Sequence, residues 1–133
     1  MVLLDTHVLV WLVEGSDRLG KKSRELLDRS LQVAELFVST ISFWEVAMLV
    51  AKGRLNMAQD VSQWRQDLLG SGLKEMAAGG EVAVNSATLQ QFHGDPADRI
   101  IVATAMQMNS SLCTADRRIL EWHHDLERID ARR

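Results

Sequence analysis

The apolar positions of this chain come in short runs separated by longer stretches with a helical period. Val2-Leu3-Leu4, Leu36-Phe37-Val38 and Leu112-Cys113 are apolar without alternation, the pattern of strands covered on both faces. The pattern predicts strands over 2–4, 35–39 and 111–114, a weaker one over 73–76, and an edge-like one over 126–129. Between them, Leu26, Leu27 and Leu31 recur at helical spacing among charges, giving an amphipathic helix over 21–31. The run 6–13 is apolar on nearly every side, so its helix needs cover on more than one face. Further helices are expected over 42–51, opened by Ser42-Phe43-Trp44-Glu45 as a capping box, and over 58–69, capped by Asn56. Others are expected over 81–92, 96–109 and 117–122. Short buried strands alternating with helices predict a three-layer α/β/α fold around a central parallel sheet.

Length and composition narrow this little. The 133 residues suit one domain spanning 1–133, with 47% hydrophobic and 25% charged residues. No apolar run approaches the roughly 20 residues of a membrane span, and the N-terminus lacks a signal-peptide pattern. The lone Cys113 sits in an apolar run as a core residue; a reducing cytoplasm is the expected location. A net charge of −3 speaks against gripping nucleic acid over the whole surface. The basic clusters Lys21-Lys22-x-Arg24, Lys52/Arg54 and Arg117-Arg118 read as solvated faces, and the tail 131–133 as frayed.

The chemistry is carried by acids at strand-to-helix junctions. Asp95-Pro96-Ala97-Asp98-Arg99 opens a helix, with the chain's single proline at the first helical position and Asp95 as the cap. Asp5 follows the first strand, Glu45 lies at the start of the helix after the second, and Asp116 follows the strand 111–114. Each acid has a simple reading as a helix cap or a partner of the helix dipole. Gathered together, they repel by roughly 3 kcal/mol per pair at an effective dielectric near 20, and such a cluster calls for a cation. All-oxygen ligands suit Mg²⁺ or Mn²⁺, and His7, His93, His123 and His124 have no zinc-type spacing with Cys113. An ion so held activates water and stabilises charge on a phosphoryl oxygen. Thr6, Ser39 and Thr114 are hydroxyls beside the acids that can position water or phosphate.

In order and spacing, Leu3-Leu4-Asp5-Thr6-His7, Ser42-x-x-Glu45, Asp95-Pro96-Ala97-Asp98-Arg99 and Thr114-Ala115-Asp116 resemble the PIN-domain ribonucleases, and most of all the VapC-type toxins of toxin–antitoxin pairs. The resemblance spans nearly the whole chain. It implies a PIN-like fold and Mg²⁺-dependent (or Mn²⁺-dependent) cleavage of RNA phosphodiester bonds. It carries the acidic positions onto Asp5, Glu45, Asp98 and Asp116 as catalytic and metal-holding residues, with Glu45 on a metal or its water and Thr6 and Thr114 in support. It implies a homodimer and a cognate antitoxin covering the site, with no membrane role. The segments 77–80 and 90–94 depart from the family's usual runs.

Three readings compete with it. A haloacid-dehalogenase-like phosphatase needs a second Asp where His7 stands, and a receiver domain needs an Asp after a middle strand and a late lysine. The non-enzymatic alternative is an inactive PIN-like scaffold binding RNA or a protein, against which the retention of all four acids argues. Trp11, and Trp44 beside Phe43, Val46, Leu49 and Val50, mark an apolar surface that a partner would cover.

Overall fold

The computed structural model describes residues 1–133. Its sheet has five strands, β1 (Val2–Leu4), β2 (Leu36–Ser39), β3 (Lys74–Met76), β4 (Ser111–Thr114) and β5 (Arg128–Asp130). All are parallel, in the order β3-β2-β1-β4-β5. The chain winds outward from β1 through β2 to β3, then returns to add β4 on the other side of β1. The carboxyl ends of β1 and β4 therefore border the point where the winding reverses, which is where open α/β sheets bind their ligands.

The three central strands, β1, β2 and β4, divide their side chains between two cores. Leu3, paired with Phe37 and Leu112, faces Ile101, Val102, Ile119 and Trp122. Val2, Leu4, Leu36, Val38 and Cys113 point the opposite way, toward Leu9, Leu27, Val46 and Trp64. Both faces are buried, which explains the unbroken apolar runs. One layer is built from α1 (Thr6–Glu14), α2 (Lys21–Gln32), α3 (Thr40–Ala51) and α4 (Val61–Gly70). The other holds α6 (Pro96–Met108) and α7 (Arg117–Leu120), with α5 (Gly80–Ala87) packed on α6. Gly15 ends α1 in the left-handed region at φ 67°, its N–H donating to the Leu12 carbonyl, and Asn109 does the same for α6 at φ 53°. No helix is long and apolar enough to cross a membrane.

Several expected boundaries move. The cap of α3 is Ser39, whose Oγ accepts from the Ile41 N–H; Ser42 lies buried inside the helix, so it opens no capping box. Asp60, accepting from the Ser62 N–H, replaces Asn56 as the cap of α4. The fifth helix stops at Ala87 rather than running to Phe92, and α7 stops at Leu120. The tail is not frayed. Ala131 is buried, its carbonyl accepts from the Gly20 N–H, and the Arg133 carbonyl accepts from the Ser23 N–H at 2.8 Å, so the last residues cover the start of α2.

Candidate active site

Asp5 is 2% exposed and caps α1 from the end of β1. Its Oδ1 accepts from the Thr6 N–H at 2.8 Å, and its Oδ2 from the Thr114 hydroxyl at 2.6 Å. Thr114, at the end of β4, also accepts from the Asp116 N–H at 3.0 Å. One buried hydroxyl thus ties Asp5 to the turn that carries Asp116. The register places Leu4 beside Cys113, so Asp5 and Thr114 are brought together by the pairing of their strands.

Thr6 performs a similar service toward α3. Its hydroxyl donates to Glu45 Oε1 at 2.5 Å and lies 2.8 Å from Ser42 Oγ. A hydroxyl has a single proton, so Ser42 donates to Thr6 while Thr6 donates to Glu45. This is the role that holds Ser42 in the buried interior.

Asp98 stands in the first turn of α6, behind the cap in which Asp95 Oδ1 accepts from its N–H at 3.2 Å. Asp98 Oδ2 accepts from His93 Nε2 at 2.7 Å. The loop bearing His93 is clamped by Arg99, which donates to the carbonyls of Phe92 at 2.8 Å, His93 at 2.9 Å and Ser86 at 3.0 Å. Those bonds hold 88–94 in a turn and account for the early end of α5. Arg99 steadies the loop and pairs with no acid.

Asp116 caps α7, its Oδ1 accepting from the Arg118 N–H at 2.9 Å. The Arg118 guanidinium then folds back, with Nη2 3.0 Å from Asp116 Oδ2 and 3.7 Å from Asp98 Oδ2. Ligand atoms of His93, Asp98 and Asp116 all lie within 4.8 Å of one another. Asp5, Thr6, Glu45 and Asp98 share the wall of a cleft of about 530 Å³ with His7 and Trp11. All four acids named from the sequence therefore meet around the carboxyl ends of β1 and β4, with Asp98 common to both groups. His7 lies beside the site, its Nε2 3.8 Å from Asp5 Oδ2.

The electrostatics carry the mark of crowding. Burial pushes the Glu45 carboxyl from 4.5 up to about 7; Asp98, Asp5 and Asp95 add to the rise, and the Thr6 hydrogen bond opposes it. Burial also raises Asp98, reinforced by Asp5 and Asp95 and opposed by His93. For Asp116, burial acts upward, but the hydrogen bonds and charge of Arg118 outweigh it and hold the carboxyl below its ordinary range.

His93 and Arg118 are the residues that sequence reasoning missed. His93 lies in a loop without periodicity, and its contact with Asp98 depends on the Arg99 clamp. Arg118 reads as part of a solvated pair; the available signal was its position two residues after a capping Asp, within reach of that carboxylate.

Residues 2–123 match the PIN domain family. The chain belongs to that family. Its PIN domain is 35% identical over 124 residues to Ribonuclease VapC22 of Mycobacterium tuberculosis, covering 92% of each chain. The structure of VapBC2 from Rickettsia felis bound to a DNA fragment from their promoter superposes with TM-score 0.69 and 16% identity, covering 98% of both chains. DNA-bound VapBC from Salmonella typhimurium gives TM-score 0.70 and 16% identity, over 97% of this chain and 96% of that one. At these identities the two structures share the PIN domain's fold.

Proposed function

We propose that this PIN domain is a metal-dependent ribonuclease that hydrolyses RNA phosphodiester bonds, acting as the toxin of a toxin–antitoxin pair. The observation that carries the reading is the convergence of Asp5, Glu45, Asp98 and Asp116 on one sheet edge, in a chain 35% identical to a VapC ribonuclease.

The donor set fits a hard divalent cation. Burial raises both Glu45 and Asp98, with Asp5 and Asp95 adding to each, and the Arg118 guanidinium is drawn between Asp98 and Asp116 as a positive charge would be. Asp5, Asp98 and Asp116 are the proposed ligands, with Glu45 on the ion or its water; Mg²⁺ or Mn²⁺ suits carboxylate oxygens best. Bound there, the ion would supply Lewis acidity to a phosphoryl oxygen and lower the pKa of a water.

The chain's own residues do the rest. Thr114 fixes the rotamer of Asp5 and the start of the Asp116 turn. Thr6, backed by Ser42, orients Glu45, whose carboxylate can take the proton of the attacking water. His93, a donor to Asp98 Oδ2, fixes the orientation of that carboxylate. On the outer surface, Trp44 is 53% exposed beside Met48, a face of α3 suited to cover by the antitoxin or a second copy of the chain.

The test is cleavage of RNA by the purified protein. Mg²⁺ or Mn²⁺ should support it and excess EDTA should stop it. Full activity in EDTA would remove the metal mechanism. RNA binding with no cleavage under any divalent ion would identify an inactive scaffold.

A further inference from the structure

Asp5, Glu45, Asp98 and Asp116 meet around the ends of β1 and β4, and a phosphodiester brings a further negative charge to them. A single divalent ion offsets only part of this charge, so the phosphate needs another cation close by. The nearby arginines differ in what holds them. Arg99 is engaged with the carbonyls of Ser86, Phe92 and His93. Arg18 and Arg54 line the cleft and form no ion pair within 4.0 Å. Arg118 is held by the acids themselves. Its Nε lies 3.2 Å from Asp116 Oδ1 and its Nη2 3.0 Å from Asp116 Oδ2, with Asp98 Oδ2 3.7 Å from Nη2.

This grip can open without disturbing the fold. The Arg118 N–H donates to Asp116 Oδ1 at 2.9 Å, which fixes the backbone at the start of α7 whatever the side chain does. The side chain itself is largely exposed and touches no other acid within 4.0 Å. Its guanidinium is therefore free to swing on its own stem. A planar fork that matches the two oxygens of a carboxylate also matches two oxygens of a phosphate. With Asp98 and Asp116 neutralised by a divalent ion, the attraction that keeps Arg118 on them weakens. A phosphate arriving beside those acids offers the fork the same geometry.

We infer that Arg118 is a catalytic residue with two positions: on Asp98 and Asp116 in the metal-free protein, and on the non-bridging oxygens of the scissile phosphate in the loaded one. The inference rests on the ribonuclease reading and adds a residue to its chemistry. In the hydrolysis a water oxygen bonds to phosphorus and the bond from phosphorus to one ribose oxygen breaks. The water's proton passes to Glu45, and solvent protonates the leaving oxygen. Negative charge gathers on the non-bridging oxygens as the water attacks, and Arg118 donates to them there.

The experiment pairs calorimetric titration of Mg²⁺ with kcat for RNA cleavage at saturating Mg²⁺ and RNA. Arg118→Ala should bind Mg²⁺ more tightly, having lost the resident cation, and yet lose about 100-fold or more in kcat. These opposite signs distinguish a group that reaches the phosphate from one that only supports the ligands, whose loss would weaken both. Arg118→Lys keeps the charge without the fork and should recover part of kcat. Arg117→Ala removes the neighbouring exposed guanidinium, paired with Glu121 at 2.8 Å, and should change neither measurement. Tight Mg²⁺ binding by Arg118→Ala with kcat at or above the wild-type value would make Arg118 a mere occupant of the metal site, overturning the inference and leaving the nuclease reading intact. Mg²⁺ binding and kcat lost together would overturn it equally. A wild type that cleaves RNA with no divalent ion at all would remove the nuclease reading, and the inference with it.

Discussion

The Thr114 hydroxyl donates to Asp5 Oδ2 at 2.6 Å, joining residues 109 apart in sequence through two neighbouring parallel strands. Thr114→Val would leave Asp5 without this donor and the Asp116 N–H without its acceptor, in a fully buried place. Losing them should cost about 1–3 kcal/mol in a urea melt and about 10–100-fold in cleavage or Mg²⁺ affinity. Thr114→Ser, which keeps the hydroxyl, should recover most of both.

Asp5→Asn separates a helix cap from a metal ligand. Asn still accepts from the Thr6 N–H and caps α1 nearly as well. Metal-free stability should therefore hold or rise, since one repelling charge is gone. Activity should fall by more than the roughly 10–100-fold that loss of an outer partner costs. Mg²⁺ should raise the mutant's Tm less than the wild type's. Unchanged cleavage with an unchanged Mg²⁺ response would return Asp5 to a capping role.

Arg118 holds Asp116 and Asp98 in the metal-free state while 61% exposed. Arg118→Ala should raise the Asp116 pKa, because the guanidinium keeps it low. It should also tighten Mg²⁺ binding in a calorimetric titration, since the ion no longer competes with a resident cation. Weaker Mg²⁺ binding would show instead that Arg118 organises the ligands.

Stability of the metal-free protein should fall as pH rises from 4.5 to about 7. In that window folded Glu45 keeps its proton and unfolded Glu45 has lost it, so the folded state binds more protons. Asp98, also raised, acts in the same direction. Glu45→Gln should flatten the slope of Tm against pH, and saturating Mg²⁺ should reverse it, because metal binding favours deprotonated ligands. Below 4.5 a separate contribution fades as pH falls, since the Arg65 hydrogen bonds hold the Glu75 carboxyl below its ordinary range.

Gly20→Ala tests the docked tail. A Cβ there would overlap the Arg133 carbonyl, so the backbone of one segment must move. Urea denaturation should show a loss of about 0.5–3 kcal/mol, with the Gly20–Ala131 and Ser23–Arg133 hydrogen bonds opened to solvent exchange.

Much of this protein was decided by local signals that the sequence carries alone. Val2-Leu3-Leu4 and Ser111–Thr114 are strands because buried parallel strands must be apolar on both faces, and α6 starts at Pro96 because Asp95 and proline are suited to cap and first turn. Three of the four acids were legible for the same reason: Asp5, Glu45 and Asp116 follow strands, and parallel order sends such positions to one edge, whereas Asp98, on a helix that follows another helix, reaches them only through the packing of α6. Tertiary structure decided what depends on partners distant in sequence. Ser42 looks like a cap, but its hydroxyl bonds Thr6, and Ser39 caps α3 instead. Residues 88–92 have no place in α5 because Arg99, from another helix, claims the carbonyls of Ser86 and Phe92. His93 reaches Asp98, and Arg118 bridges two acids, only after β4 has paired with β1 and α6 has packed behind them. Periodicity reports the face a residue shows to the core, and a side chain's charged neighbour across the fold leaves no trace in it.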